Sequence, residues 1–208
     1  NQLGRGLSAV RNYKDALSVQ EAELTMLQRL GASERDILIT QGNLSNTYSR
    51  LGRLEEALQM DRDIYSGRTK LHGEENERTL RAAYNYATSL HDLRRLDEAK
   101  SVLDMMMPVA RRVLGEDDPV GISMRECYAT VVFESVGATP DDLREAMNTF
   151  EELERTARRV LGGAHPSTVR IESNLRRARA DLRARETGDV SSIREAVEAT
   201  PPTSKSQN

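Results

Sequence analysis

The side chains in this sequence that could do catalytic chemistry are few and far apart. His72, His91 and His165 are widely separated and lack ligand spacing, so loop or surface positions are expected for them rather than a metal site. Cys127 has no paired histidine motif and suits a small apolar position inside a helix. The sequence has no glycine-rich phosphate loop, no Gly-x-Ser-x-Gly and no carboxylate pair isolated in an apolar stretch. Acidic residues are abundant, but they fall at salt-bridge spacings on helix faces. A non-catalytic protein without metal or cofactor is therefore expected. What recurs instead is an amide. Asn43, Asn85 and Asn174 fall on one series with Gln2 and Cys127, at gaps of 41, 42, 42 and 47 residues. A primary amide donates and accepts hydrogen bonds at once, which is the chemistry of recognition rather than of bond cleavage.

Other markers keep the same beat. Ala16, Ala57, Ala99 and Ala146, each after an acidic residue, are separated by 41, 42 and 47 residues. Leu-Gly or a close variant falls at Leu30-Gly31, Leu71-His72-Gly73, Leu114-Gly115 and Leu161-Gly162. A period of this length predicts stacked repeats, each burying its apolar face on the next. Each period divides into two helices. Leu96, Ala99, Leu103, Met106, Ala110 and Val113 make one apolar stripe at helical spacing, and Leu143, Ala146, Phe150, Leu153, Ala157 and Val160 repeat it. The same offsets give Leu54, Ala57, Asp61, Ile64, Arg68 and Leu71 in the second unit, so two core slots turn polar. In the first unit they give Tyr13, Ala16, Gln20, Glu23, Leu27 and Leu30. The stripe is degraded toward the N-terminal end.

The first helices of the pairs are expected at about 36–51, 79–93, 121–136 and 167–185. Ser33 with Asp36, Asp118 before Pro119, Thr139 before Pro140, and Ser167 after Pro166 are expected helix starts. Gly31, Gly73, Gly115 and Gly162 follow long helices, where a left-handed residue is wanted. Pro108 should kink its helix or remove one backbone bond. The expected fold is all-α, a solenoid of stacked helix pairs over 1–185. About four repeats are expected, the first truncated and beginning partway through a first-position helix, the last incomplete. A short capping helix is expected over 186–200, and 201–208 is expected to be a disordered tail. The chain opens on Asn1-Gln2-Leu3 without Met, which suggests a fragment or processed product.

Bulk composition narrows the class. The 208 residues are 30% charged and 38% hydrophobic with a net charge of −3, which makes no electrostatic case for nucleic acid or an anionic membrane. The cluster Arg176, Arg177, Arg179, Arg183 and Arg185 is basic, but no aromatics interleave it. No apolar run spans a membrane. One cysteine fits a reducing, cytoplasmic setting.

The repeats resemble tetratricopeptide repeats of the long kind found in kinesin light chains. The residues that carry the resemblance are Thr79-Leu80 through Asn85-Tyr86-Ala87, then Leu96-Asp97-Glu98-Ala99, and the links Leu114-Gly115-Glu116-Asp117-Asp118-Pro119 and Leu161-Gly162-Gly163-Ala164-His165-Pro166-Ser167-Thr168. Cys127, Asp118 and Arg176 depart from the pattern. The resemblance implies an all-α, right-handed α-solenoid (a tetratricopeptide repeat superhelix) whose concave surface, lined by first-position helices, binds an extended peptide. Carried over residue by residue, that lining is Asn43, Asn46 and Arg50, then Arg81, Tyr84, Asn85, Thr88 and His91, then Glu126, Thr130 and Glu134, then Arg170, Asn174 and Arg177. A protein or peptide ligand is the expected partner, with acidic and aromatic peptides suiting Arg81, Tyr84 and Asn85 best. Two alternatives stand beside this: a structural subunit packed permanently in a larger assembly, which an exposed apolar strip along Leu3, Leu7 and Val10 would favour, and the regulatory repeat segment of a multidomain enzyme.

Overall fold

The computed structural model describes the backbone of residues 2–187 and the side chains of residues 12–185 and 187. Within these, the order is α1 (Gln2–Arg29), α2 (Glu34–Arg50), α3 (Leu54–His72), α4 (Glu77–Asp92), α5 (Leu96–Leu114), α6 (Pro119–Glu134), α7 (Pro140–Val160) and α8 (Pro166–Thr187). No strand occurs among the described residues. The chain divides into two compact units, residues 1–99 and 100–208.

Local chemistry sets the helix starts. Ser33 caps α2 by accepting the Asp36 N–H, and Asp118 caps α6 by accepting from Val120 and Gly121, with Pro119 in the first turn. Thr139 and Asp142 close a reciprocal capping box at the start of α7. Each such cap is worth about 1 kcal/mol. The start of α8 differs from expectation: the helix begins at Pro166, and the Ser167 N–H donates to His165 Nδ1 at 3.2 Å. The expected glycines after long helices do take positive φ, and so does Gly52 at 76°, which turns α2 into α3. Pro108 sits inside an α5 that runs on as one helix.

The truncated first pair is not a pair. α1 continues unbroken from Gln2 to Arg29, and Arg11, a good helix former, stands where Gly52 turns the next unit. The strip Leu3, Leu7 and Val10 lies outside the described side chains. The expected capping helix and tail also lie outside the described residues, except that residues 186 and 187 belong to α8.

In the first unit, α3 packs between α2 and α4, and α1 packs on α2. Leu44, Tyr48 and Ala57 form one core cluster with Leu17 and Leu24 of α1, while Leu38, Ile64 and Ala82 form another. The second unit holds a larger cluster, in which Phe150, Leu153 and Ala157 of α7 lie between Ile122 and Ala129 of α6 and Ile171 and Leu175 of α8. The predicted stripe of α7 is therefore the centre of that core.

Candidate functional site

The residues assigned to recognition fall into two sets, one in each unit. In the first unit, α2 and α4 are joined through α3. Asp61 of α3 accepts the Ser45 hydroxyl of α2 at 2.7 Å and the Ser89 hydroxyl of α4 at 2.6 Å. This buried bridge fixes α2 beside α4, and the opposite faces of both helices are open. Asn43 and Asn46 are exposed one turn apart on α2, with Arg50 half-buried a further turn along. On α4, Arg81 and Asn85 are exposed, and Tyr84, Thr88 and His91 are half-buried. Arg81 pairs with Glu77 at 2.8 Å, Thr88 donates to the Tyr84 carbonyl at 2.9 Å, and His91 Nδ1 stands 3.8 Å from Asp92. The amides of Asn43, Asn46 and Asn85 have no intrachain hydrogen bond among the described residues. Glu77 and Asp61 are not singled out by the recognition pattern, although Asp61 is visible in the sequence as a polar residue in a core slot.

The second set is spent differently. Arg170 of α8 grips Glu126 of α6 through Nε and Nη2, which donate to the two carboxylate oxygens at 2.5 and 2.6 Å. One turn on, Asn174 Nδ2 donates to Thr130 Oγ1 at 3.3 Å, and a turn further Arg177 donates to Glu134 at 3.4 Å. Arg177 also lies over the Phe133 ring, 5.5 Å from its centroid. These rungs join α6 to α8 across the repeat, so their polar groups already have partners. Glu126 is 3% exposed. The amide series that is open at Asn43 and Asn85 is closed at Asn174.

Burial governs the electrostatics of both sets. Desolvation pushes the Asp61 carboxyl above the usual aspartate range, and the Ser45 and Ser89 hydroxyls pull against it. Burial likewise pushes Glu126 up, opposed by the Arg170 guanidinium. Neither carboxylate lies in a group that could bind a metal, for no cluster of three or more histidine, cysteine, aspartate or glutamate side chains of that kind occurs among the described residues. No helix among them is long and apolar enough to cross a membrane.

Comparison with known proteins agrees with this architecture. Residues 36–104 match the family model for the tetratricopeptide repeat. No curated protein matches the sequence. Two solved structures of a kinesin-light-chain-like protein from Podosopora anserina, with nearly identical TPR-like repeats, are both similar at 18% identity. One, a point variant of that protein, has a TM-score of 0.67 over 96% of this chain and 92% of that one. The other has a TM-score of 0.64 over 96% and 94%. BtubC (BKLC) of P. vanneervenii is similar at 16% identity and a TM-score of 0.65, over 95% of this chain and 79% of its own. These likenesses show the fold, an all-α helical-repeat solenoid of the kind seen in kinesin-light-chain-like repeat proteins. Tetratricopeptide repeats mediate protein–protein interactions and are typically non-catalytic.

Proposed function

We propose that this chain binds an extended segment of a partner protein along the open faces of α2 and α4. The observation that carries this reading is that Asn43, Asn46 and Asn85 are exposed with their amides unspent. Each can donate to a peptide carbonyl and accept from a peptide N–H, while Arg81, held by Glu77, offers a guanidinium to an acidic side chain. Arg50, Tyr84, Thr88 and His91 flank them on the same helices. In the second unit, Glu126, Thr130, Arg170, Asn174 and Arg177 hold α6 and α8 in register, a structural role in place of ligand contact. The binding module is non-catalytic.

A second reading has its own support. Val19 and Met26 of α1 and Leu30 in the turn just after it are 68%, 61% and 70% exposed and recur at near-helical spacing, as a packing edge would. The two readings separate in one experiment, in which partner proteins retained by the wild-type chain are compared with those retained by two variants. Asn43→Ala with Asn85→Ala should weaken retention about tenfold per lost amide pairing. Val19→Ser with Met26→Ser and Leu30→Ser should leave it unchanged. The reverse result would move the function to the α1 edge, and indifference to both variants would sink both readings.

A further inference from the structure

One corner of the first unit brings together three arginines that pair with no carboxylate among the described residues. Arg68 occupies a core slot of α3 and is 8% exposed, and its Nη1 is buried with no hydrogen-bond partner. The last turns of α3 are held against the first turns of two other helices. A Cβ on Gly67 would lie 2.8 Å from Leu38 Cδ2 of α2, so α3 approaches α2 closely there. Thr79 Oγ1 of α4 donates to the Arg68 carbonyl at 3.2 Å. Arg35 and Arg78 stand in those first turns, and both are exposed.

No carboxylate is paired with any of the three arginines among the described residues. Two of the neighbouring acids are committed elsewhere: Asp36 takes the Ser33 hydroxyl at 2.6 Å, and Glu77 takes Arg81. Burial pushes the Arg68 pKa down, and Arg78 and Arg35 push it further in the same direction. α2 and α4 both begin here, so the positive ends of two helices add to the field. A guanidinium with one nitrogen buried and unpartnered is costly, and an anion from outside would relieve it.

We propose that Arg35, Arg68 and Arg78 form a receptor for a phosphate group carried on a phosphorylated side chain of a partner protein. Three guanidiniums and two helix starts suit a dianion with three acceptor oxygens better than a single carboxylate. The protein source rests only on the general role of tetratricopeptide repeats in protein–protein contact, and is independent of the asparagine face of α2 and α4.

The test is thermal unfolding of the intact chain titrated at constant ionic strength with inorganic phosphate, N-acetyl-phosphoserine amide, N-acetyl-serine amide and adenosine monophosphate. Phosphate and the phosphoserine amide should raise Tm saturably, and the serine amide should not. Arg68→Met should weaken that response about tenfold, the scale of one charge-assisted hydrogen bond. The same variant should melt higher than wild type without anion, because a buried unpaired charge has gone. Arg35→Gln with Arg78→Gln, a surface double variant, should also weaken the response, and Arg62→Gln on the exposed face of α3 should not. No saturable shift in the wild type, or a shift that survives the double variant, would overturn the site. Stabilisation by adenosine monophosphate but not by the phosphoserine amide would overturn the protein source.

Discussion

α3 and α7 occupy the same place in their repeats, yet they are built from different chemistry. The slot that holds Phe150 in α7 holds Asp61 in α3, and the slot of Ala157 holds Arg68. All four are buried: Phe150 and Ala157 at 0%, Asp61 at 6% and Arg68 at 8%. The unit with the apolar α7 also closes its polar face, through Arg170–Glu126, Asn174–Thr130 and Arg177–Glu134. The unit with the polar α3 leaves Asn43, Asn46 and Asn85 open. One unit has resolved its interactions internally, and the other leaves hydrogen-bonding capacity unspent on its exposed amides. A repeat fold permits this division because each helix pair packs on its neighbours and need not share their detailed chemistry.

The sharpest way to break that contrast is truncation in the shared slot. Phe150→Ala should destabilise the second unit by about 3–5 kcal/mol, since it removes a fully buried ring from the centre of the core. Asp61→Ala should cost no more than about 1–2 kcal/mol, chiefly from the Ser45 and Ser89 hydroxyls left behind. Urea unfolding with hydrogen exchange to locate the affected helices would measure both, and equal costs would show that the two cores are equivalent after all. A second, smaller difference concerns the arginines. Arg170→Ala should cost about 2–3 kcal/mol, because it strands the buried Glu126 carboxylate. Arg81→Ala breaks only an exposed pair with Glu77 and should change stability by less than about 0.5 kcal/mol. Comparable losses in the same unfolding assay would remove the distinction between a closed and an open face.

Much of this is legible in the sequence because repeat register is carried by local rules. The apolar stripes of α5 and α7, the caps at Ser33, Asp118 and Thr139, and the glycines at positive φ each depend on residues within a turn or two. What is not legible depends on partners about one repeat away. Glu126 and Arg170 are separated by 44 residues, and nothing local distinguishes a groove glutamate from one locked to the next repeat. The unbroken α1 is a third kind of case. Arg11 stands where Gly52 turns, but Arg94 turns at φ 61° in the equivalent place, so residue type alone does not decide whether the helix ends. The His165 contact at the start of α8 escapes a sequence reading because Ser167 has the commoner capping side chain, while the imidazole lies on the outer side of Pro166.

The smallest expected effect tests whether the Asp61 bridge is a cost or a support. Its carboxyl is held above the ordinary aspartate value of about 3.9 by burial, despite the Ser45 and Ser89 hydroxyls. An acid whose pKa is raised on folding favours the folded state when protonated, and that contribution is lost as pH rises through the raised value. Asp61→Asn keeps the shape and removes the ionisation. It should therefore melt above the wild type at pH 7, and the gap should shrink as pH falls through the window between the raised folded value and about 3.9, closing below it. Thermal unfolding of both forms across that range measures the gap directly. A gap that stays constant with pH would mean that Asp61 does not change ionisation on folding. An Asn variant that melts lower at pH 7 would mean that the two hydroxyls favour the ionised form more than burial opposes it. In that event the polar slot of α3 would be an asset to stability, and the first unit would match the second in strength by a different route.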